Sequence, residues 1–234
     1  MKLRIVVLIS ILVVFQAQGQ KKIKVLFVGN SLTYYNNLPE IVRKVAALDS
    51  VQLTYEMVAL PNYALVDHLA ENKVQSRIKT GKFNFVVVQQ GPSSQADGLE
   101  YLLNAAFPLS KLCKKKNSEL VFYMVWPSKS RMQDFAGVYR HYKIAADTTQ
   151  SIFSPAGSAW LEAWKISPRL MLYGVDNFHP SYDGSLLAAM VVYGSISKKK
   201  KLTFLDYKHF KSENVPQPDF DAMVTAAEIA LNGK

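Results

Sequence analysis

Two short stretches far apart in the chain hold the groups that acyl transfer needs. Gly29-Asn30-Ser31-Leu32-Thr33 offers a serine hydroxyl directly after the apolar run Val25 to Val28. Asp176-Asn177-Phe178-His179-Pro180 sets a carboxylate three residues before an imidazole. A carboxylate that holds one imidazole nitrogen leaves the other able to take a serine proton, which turns the hydroxyl into a nucleophile. Backbone N–H groups where a strand gives way to a helix can face the negative charge that then develops. Each stretch alone also fits a duller duty. Ser31 suits a helix N-cap, and Asp176 with His179 suits a capped surface turn. Their joint presence is what points to nucleophilic chemistry.

The elements that must bring these ends together follow a βα alternation. Strand-type runs span Lys24 to Val28, Val51 to Leu60, Phe83 to Val88, Leu120 to Trp126 and Ser151 to Ser154. Helical spacing covers Leu38 to Leu48, Leu65 to Ile78, Leu99 to Leu112, Phe135 to Gln150, Trp160 to Lys165, Ser185 to Ile196 and Ala222 to Leu231. Pro108 is expected to kink or interrupt the third of these. Such alternation predicts right-handed crossovers and a parallel sheet of about five strands between two helical layers. Ligands of such sheets bind beyond the carboxyl ends of the strands. The loops at 29–37, 61–63, 89–97 and 127–131, and the loop carrying His179, therefore form the expected cleft.

On these residues the chain resembles the SGNH (GDSL-type) hydrolases, a family of esterases, lipases and carbohydrate deacetylases. The resemblance runs over nearly the whole of residues 20–234. It implies an α/β fold of the three-layer α/β/α, flavodoxin-like kind. It also implies that Ser31 is the nucleophile and an oxyanion donor, His179 the general base and Asp176 its orienting acid. Asn30 stands where the family usually has Asp. Asn62 falls where a glycine N–H is usual, and Asn tolerates the left-handed backbone that such a donor requires. In the third block Ser93 aligns with the usual Asn. Gln90-Gly91-Pro92-Ser93 is instead similar to the Gln-Gly-Glu-Ser segment of carbohydrate acetylesterases, so Gln90 is expected to donate its amide to the oxyanion. Tyr34 and Trp126 are further candidates for the substrate pocket, Trp126 as a face for a sugar ring.

The substrate class implied is a small-molecule or polysaccharide ester, with a short O-acetyl ester on a carbohydrate foremost. The alternatives are a non-catalytic glycan-binding module on the same fold, a lipid-ester hydrolase, and a phosphate-binding flavodoxin-like protein using Gly29 to Thr33. That last alternative leaves Asp176 and His179 without a role. No metal or organic cofactor is required by this chemistry.

Composition sets outer bounds. Lys2 and Arg4, the apolar run from Ile5 to Phe15, and Ala17-Gln18-Gly19 make residues 1–19 a secretory signal, with residues 20–234 as one domain. The expected location is a bacterial periplasm or the cell exterior, with no stable membrane insertion after cleavage. Cys113 is the only cysteine, which excludes an internal disulfide and a cysteine-built metal site. The net charge of +10 includes Lys2 and Arg4, and much of the rest lies in scattered lysine runs without interleaved aromatics. That pattern argues for solvated helix ends and against a nucleic-acid partner.

Overall fold

A computed structural model describes residues 20–233. The signal-peptide reading of residues 1–19 lies outside them. Five strands, β1 (Lys21–Gly29), β2 (Val51–Ala59), β3 (Phe85–Val88), β4 (Glu119–Tyr123) and β5 (Ile152–Ser154), form one sheet in the order β2-β1-β3-β4-β5. Every pairing is parallel. The helices are α1 (Ser31–Tyr34), α2 (Leu38–Leu48), α3 (Leu65–Ala70), α4 (Lys73–Gly81), α5 (Ala96–Lys115), α6 (Phe135–Thr149), α7 (Ala156–Ile166), α8 (Tyr182–Ser197) and α9 (Gln217–Leu231).

All four residues of β3 are buried, as expected of a central strand covered on both faces. One helical group joins α2, α7, α8 and α9, and the other runs from α3 to α6. Helix α8 is buried continuously from Gly184 to Ile196, so polar residues appear only at its ends. Lysines that follow the helices pair locally: Lys198 with Glu119, Lys199 with Asp49 and Lys201 with Glu228. Those lysines are solvated helix-end charges. Among the described residues no helix is long and apolar enough to cross a membrane.

Three sequence expectations need correction. The single helix expected over Leu65 to Ile78 is two, because Asn72 takes a left-handed backbone (φ 61°) and breaks the ladder between α3 and α4. Pro108 does not interrupt α5, which runs on for 20 residues. Pro108 and Asn104 both lie on the exposed face of that helix, where water can serve the carbonyl left without a donor. Trp126 lies past the end of β4 and not within it.

The order of the strands reverses between β1 and β3. Chain direction diverges there, and a crevice opens beyond the strand ends. Ser31 follows β1 and Gln89 follows β3, so the two loops flank that crevice.

Candidate active site

The Ser31 loop is built on a buried polar latch. Asn30 is the N-cap of α1, and its Oδ1 accepts from the Leu32 N–H at 3.1 Å. Gln89, 1 % exposed at the end of β3, reaches across to it. Gln89 Oε1 accepts from the Asn30 N–H at 3.1 Å and from the Thr33 hydroxyl at 2.8 Å. Gln89 Nε2 donates to Asn30 Oδ1 at 3.0 Å. A β-carbon on Gly29 would stand 2.5 Å from Gln89 Oε1 and 2.3 Å from the Thr33 hydroxyl, so glycine is required there by close approach. His68 closes the back of the loop, its Nε2 donating to the Gly29 carbonyl at 2.8 Å. Burial pushes its pKa down, in keeping with a neutral structural histidine.

Ser31 opens α1 half-buried, on the wall of a cavity of about 370 Å³ that Asn62, Gln90, Ser93, Tyr101 and Phe178 also line. Its backbone N–H has no acceptor among the described residues. The Asn62 N–H is likewise unclaimed, and Asn62 holds the left-handed backbone expected of it (φ 63°). Two donors thus stand open at the cavity. The Ser31 hydroxyl has no hydrogen-bond partner among the described residues, His179 included.

The histidine turn is held by one carboxylate. Asp176 Oδ1 accepts from the N–H groups of Phe178 and His179 at 3.0 and 2.9 Å. Asp176 Oδ2 accepts from His179 Nδ1 at 2.5 Å. An ionised carboxylate can only accept, so Nδ1 carries a proton, and in the neutral imidazole Nε2 is then the acceptor. The His179 hydrogen bond, followed by the Phe178 N–H, lowers the Asp176 pKa to about 2. The turn is closed by the Gly174 N–H donating to the His179 carbonyl at 2.7 Å.

Tyr35 and Asn36 tie the Ser31 and His179 loops together. The Tyr35 ring stacks on the His179 imidazole at 4.5 Å, with 16° between planes. Asn36 Nδ2 donates to the carbonyls of Pro180 and Ser181, each at 3.0 Å, and to the Ser185 hydroxyl at 2.9 Å.

The structure therefore brings Ser31, Asn62, Gln90 and Ser93 to one cavity and holds Asp176 against His179. Three pocket assignments change, and a fourth is qualified. Trp126 is fully buried, stacked on Trp160 at 3.6 Å, and its Nε1 donates to the Phe178 carbonyl at 3.1 Å. It supports the histidine turn and offers no face to a sugar. Asn30 lines the cavity as expected, but both ends of its amide are engaged, Nδ2 donating to the Tyr63 carbonyl, so its side chain braces the loop. Tyr34 does not line the cavity; its neighbour Tyr35 is the ring that meets His179. Gln90 reaches the cavity wall but does not present its amide there. Its Oε1 accepts from the Leu65 N–H, because the N-cap of α3 is Ala64, whose side chain cannot accept. Its Nε2 therefore turns to the Ser93 hydroxyl at 2.7 Å and the Gly98 carbonyl at 3.4 Å.

Sequence reading also missed supports of the third loop. Tyr142 takes the Gln90 N–H on its hydroxyl oxygen and donates that hydroxyl to the Gln90 carbonyl. His141 Nδ1 donates to the Ser93 carbonyl at 2.6 Å. Both lie on α6, and no local motif announces them. Cys113 is buried, and burial raises its thiol pKa to about 12, which keeps it unreactive.

No family model matches the sequence, and no curated protein matches it. Solved structures do match. A DUF4886 family protein from Bacteroides uniformis superposes with a TM-score of 0.75 at 15 % identity, over 91 % of this chain and 95 % of its own. A protein of Slackia heliotrinireducens provisionally named an SGNH hydrolase gives 0.64 at 23 %, over 75 % of this chain and all of its own. This is the SGNH-hydrolase fold. An acetylxylan esterase from Geobacillus stearothermophilus shares it at a TM-score of 0.51 and 16 % identity, over 76 % of this chain and 93 % of its own. Ser31 follows β1, and the Asp176–His179 turn directly precedes the buried helix α8.

Proposed function

We propose that the protein is a serine esterase that removes a short acyl group, an O-acetyl ester on a carbohydrate being the preferred class. The observation that carries this reading is the Asp176–His179 pair at 2.5 Å, which engages Nδ1 and leaves Nε2 free of the carboxylate in a turn clamped to the loop of Ser31. The SGNH fold of the solved neighbours supports it, and their acetylxylan esterase supports the choice of ester.

In this reading His179 Nε2 takes the Ser31 hydroxyl proton as Oγ bonds to the ester carbon. The N–H groups of Ser31 and Asn62 hold the tetrahedral oxyanion. The intermediate collapses as the imidazolium gives that proton to the departing alcohol oxygen, leaving an acyl-serine. Water then adds, His179 takes its proton, and the carboxylic acid leaves as that proton returns to Ser31. The open hydroxyl of Ser31 is consistent with this sequence, because catalytic hydrogen bonds tighten in the substrate complex. With the signal-like residues 1–19, we place this activity in the periplasm or outside the cell.

The Gln90 geometry favours one rival, a glycan-binding module that keeps the fold without turnover. Hydrolysis of 4-nitrophenyl acetate separates the two. The esterase reading expects turnover, lowered by about three orders of magnitude or more in both Ser31→Ala and His179→Ala. Turnover unaffected by Ser31→Ala would refute the mechanism.

A further inference from the structure

We infer that the face of the domain opposite the Ser31 cleft is a docking surface for an anionic phospholipid bilayer. The inference does not depend on the esterase reading. In the sequence the lysine runs lie far apart, at Lys21-Lys22, Lys114 to Lys116 and Lys198 to Lys201. Each by itself is a solvated helix or strand end. Folding brings them to one face.

The strand register shows which face. Val25 lies opposite Phe85, and Phe85 lies opposite Glu119. Lys22, Lys82 and Lys116 each stand three residues before that line, so all three lie at the amino end of the sheet. Helix α8 runs back from the cleft to the same end. There Lys198 Nζ lies 3.3 Å from the carboxylate of Glu119, the first residue of β4, and Lys199 pairs with Asp49, just before β2. The lysines of this face are exposed. Glu119, Asp49 and Glu228 neutralise Lys198, Lys199 and Lys201. Lys21, Lys22, Lys82, Lys115, Lys116 and Lys200 have no carboxylate partner among the described residues.

The kind of charge selects the partner. Every cation in these runs is a lysine, a mobile point charge without the planar fork of arginine that reads single phosphates. Such a patch suits a diffuse anionic surface. No exposed aromatic interleaves the runs to stack on nucleic-acid bases. The path of the chain supplies the orientation. β1 begins at Lys21, so the apolar sequence Ile5 to Phe15 connects to the fold at this face. A chain held at a bilayer by that run turns its lysines toward the lipid. β1 spans nine residues, which sets Ser31 about 30 Å from the lysine face. That is well beyond the screening length of about 8 Å at physiological salt. The docked protein therefore opens its cleft away from the membrane.

The test is co-sedimentation with vesicles. The sheet and its helices lie wholly within residues 20–233, so the protein is used as residues 20–234, which removes the apolar run as a source of binding. Vesicles of phosphatidylcholine alone are compared with vesicles in which about a third of the lipid is phosphatidylglycerol. Binding to the anionic vesicles only, reversed by high salt, is expected. A lysine close to an anionic bilayer contributes roughly five-fold in affinity, so Lys115→Glu with Lys116→Glu should weaken binding by about 25-fold or more. Lys21→Glu with Lys22→Glu should do the same, which keeps the test sound if one pair disturbs folding. Lys129→Glu with Arg169→Glu changes the net charge equally but lies beside the histidine turn, and should weaken binding by no more than about three-fold. No binding to the anionic vesicles at low salt overturns the inference. So do equal losses in all three charge-reversed pairs, or tighter binding to polygalacturonate or duplex DNA than to the vesicles.

Discussion

The two arms of the cleft are held by opposite means. The Ser31 arm rests on an interior latch: Asn30, Thr33 and Gln89 are all under 9 % exposed and join through three hydrogen bonds across the β1–β3 switch point. The histidine arm sits near the surface, with the Asp176 side chain 45 % exposed and the pair itself three residues apart. One arm is positioned by tertiary structure, and the other by a self-contained turn pressed against Tyr35 and Asn36. Damage to the first should therefore reach stability, whereas damage to the second should reach turnover while the fold survives.

That contrast breaks most visibly at the carboxylate. Asp176→Asn should lower kcat for 4-nitrophenyl acetate by about 10²–10⁴-fold, less than loss of Ser31 or His179, with the thermal midpoint nearly unchanged. A large drop in midpoint would show that the turn is a folding element and erase the distinction. The same pair sets a pH signature. Its folded pKa is depressed to about 2, so the carboxylate's contribution to stability is present above the unfolded range near about 3.9 and lost as pH falls through 2. Asp176 therefore stays ionised, and keeps its hold on His179 Nδ1, down to about pH 2. A rate profile governed by a carboxylate titration would contradict this.

Gln89→Leu attacks the other arm. It leaves the Asn30 N–H and the Thr33 hydroxyl without their buried partner and Asn30 Oδ1 with only the Leu32 N–H, which costs about 3 kcal/mol. A midpoint lowered by about 6–12 °C in calorimetry is the expected outcome. A stable but inactive variant would mean that the latch tunes the site and does not support the fold. The smallest effect is expected where the arms meet. Asn36→Gly keeps the left-handed backbone (φ 51°) and removes the clamp on Pro180, Ser181 and Ser185. It should lower kcat about ten-fold and the midpoint by only about 2–4 °C, and an unchanged kcat would show that stacking on Tyr35 alone positions His179.

Much of this was legible in the sequence for physical reasons. A parallel strand covered on both faces must be apolar throughout, so Phe85-Val86-Val87-Val88 announces itself. The Asp176–His179 turn is local and survives as a spaced pair of letters. The latch is not local: Gln89 and Asn30 stand 59 residues apart, and nothing near Gln89 signals its partner. Gln90 misleads because its orientation is decided by an uncapped helix start 25 residues away. Trp126 misleads because position at a strand end fixes which loop a side chain belongs to but not whether its ring points into solvent or into Trp160.

The central claim is that Ser31 is a nucleophile activated by His179. Incubation with a serine-reactive fluorophosphonate, followed by peptide mass mapping, tests it directly. The account predicts one adduct, on Ser31, forming at least a hundred-fold more slowly in the His179→Ala protein. Labelling of another serine, or labelling of Ser31 at the same rate without His179, would contradict it.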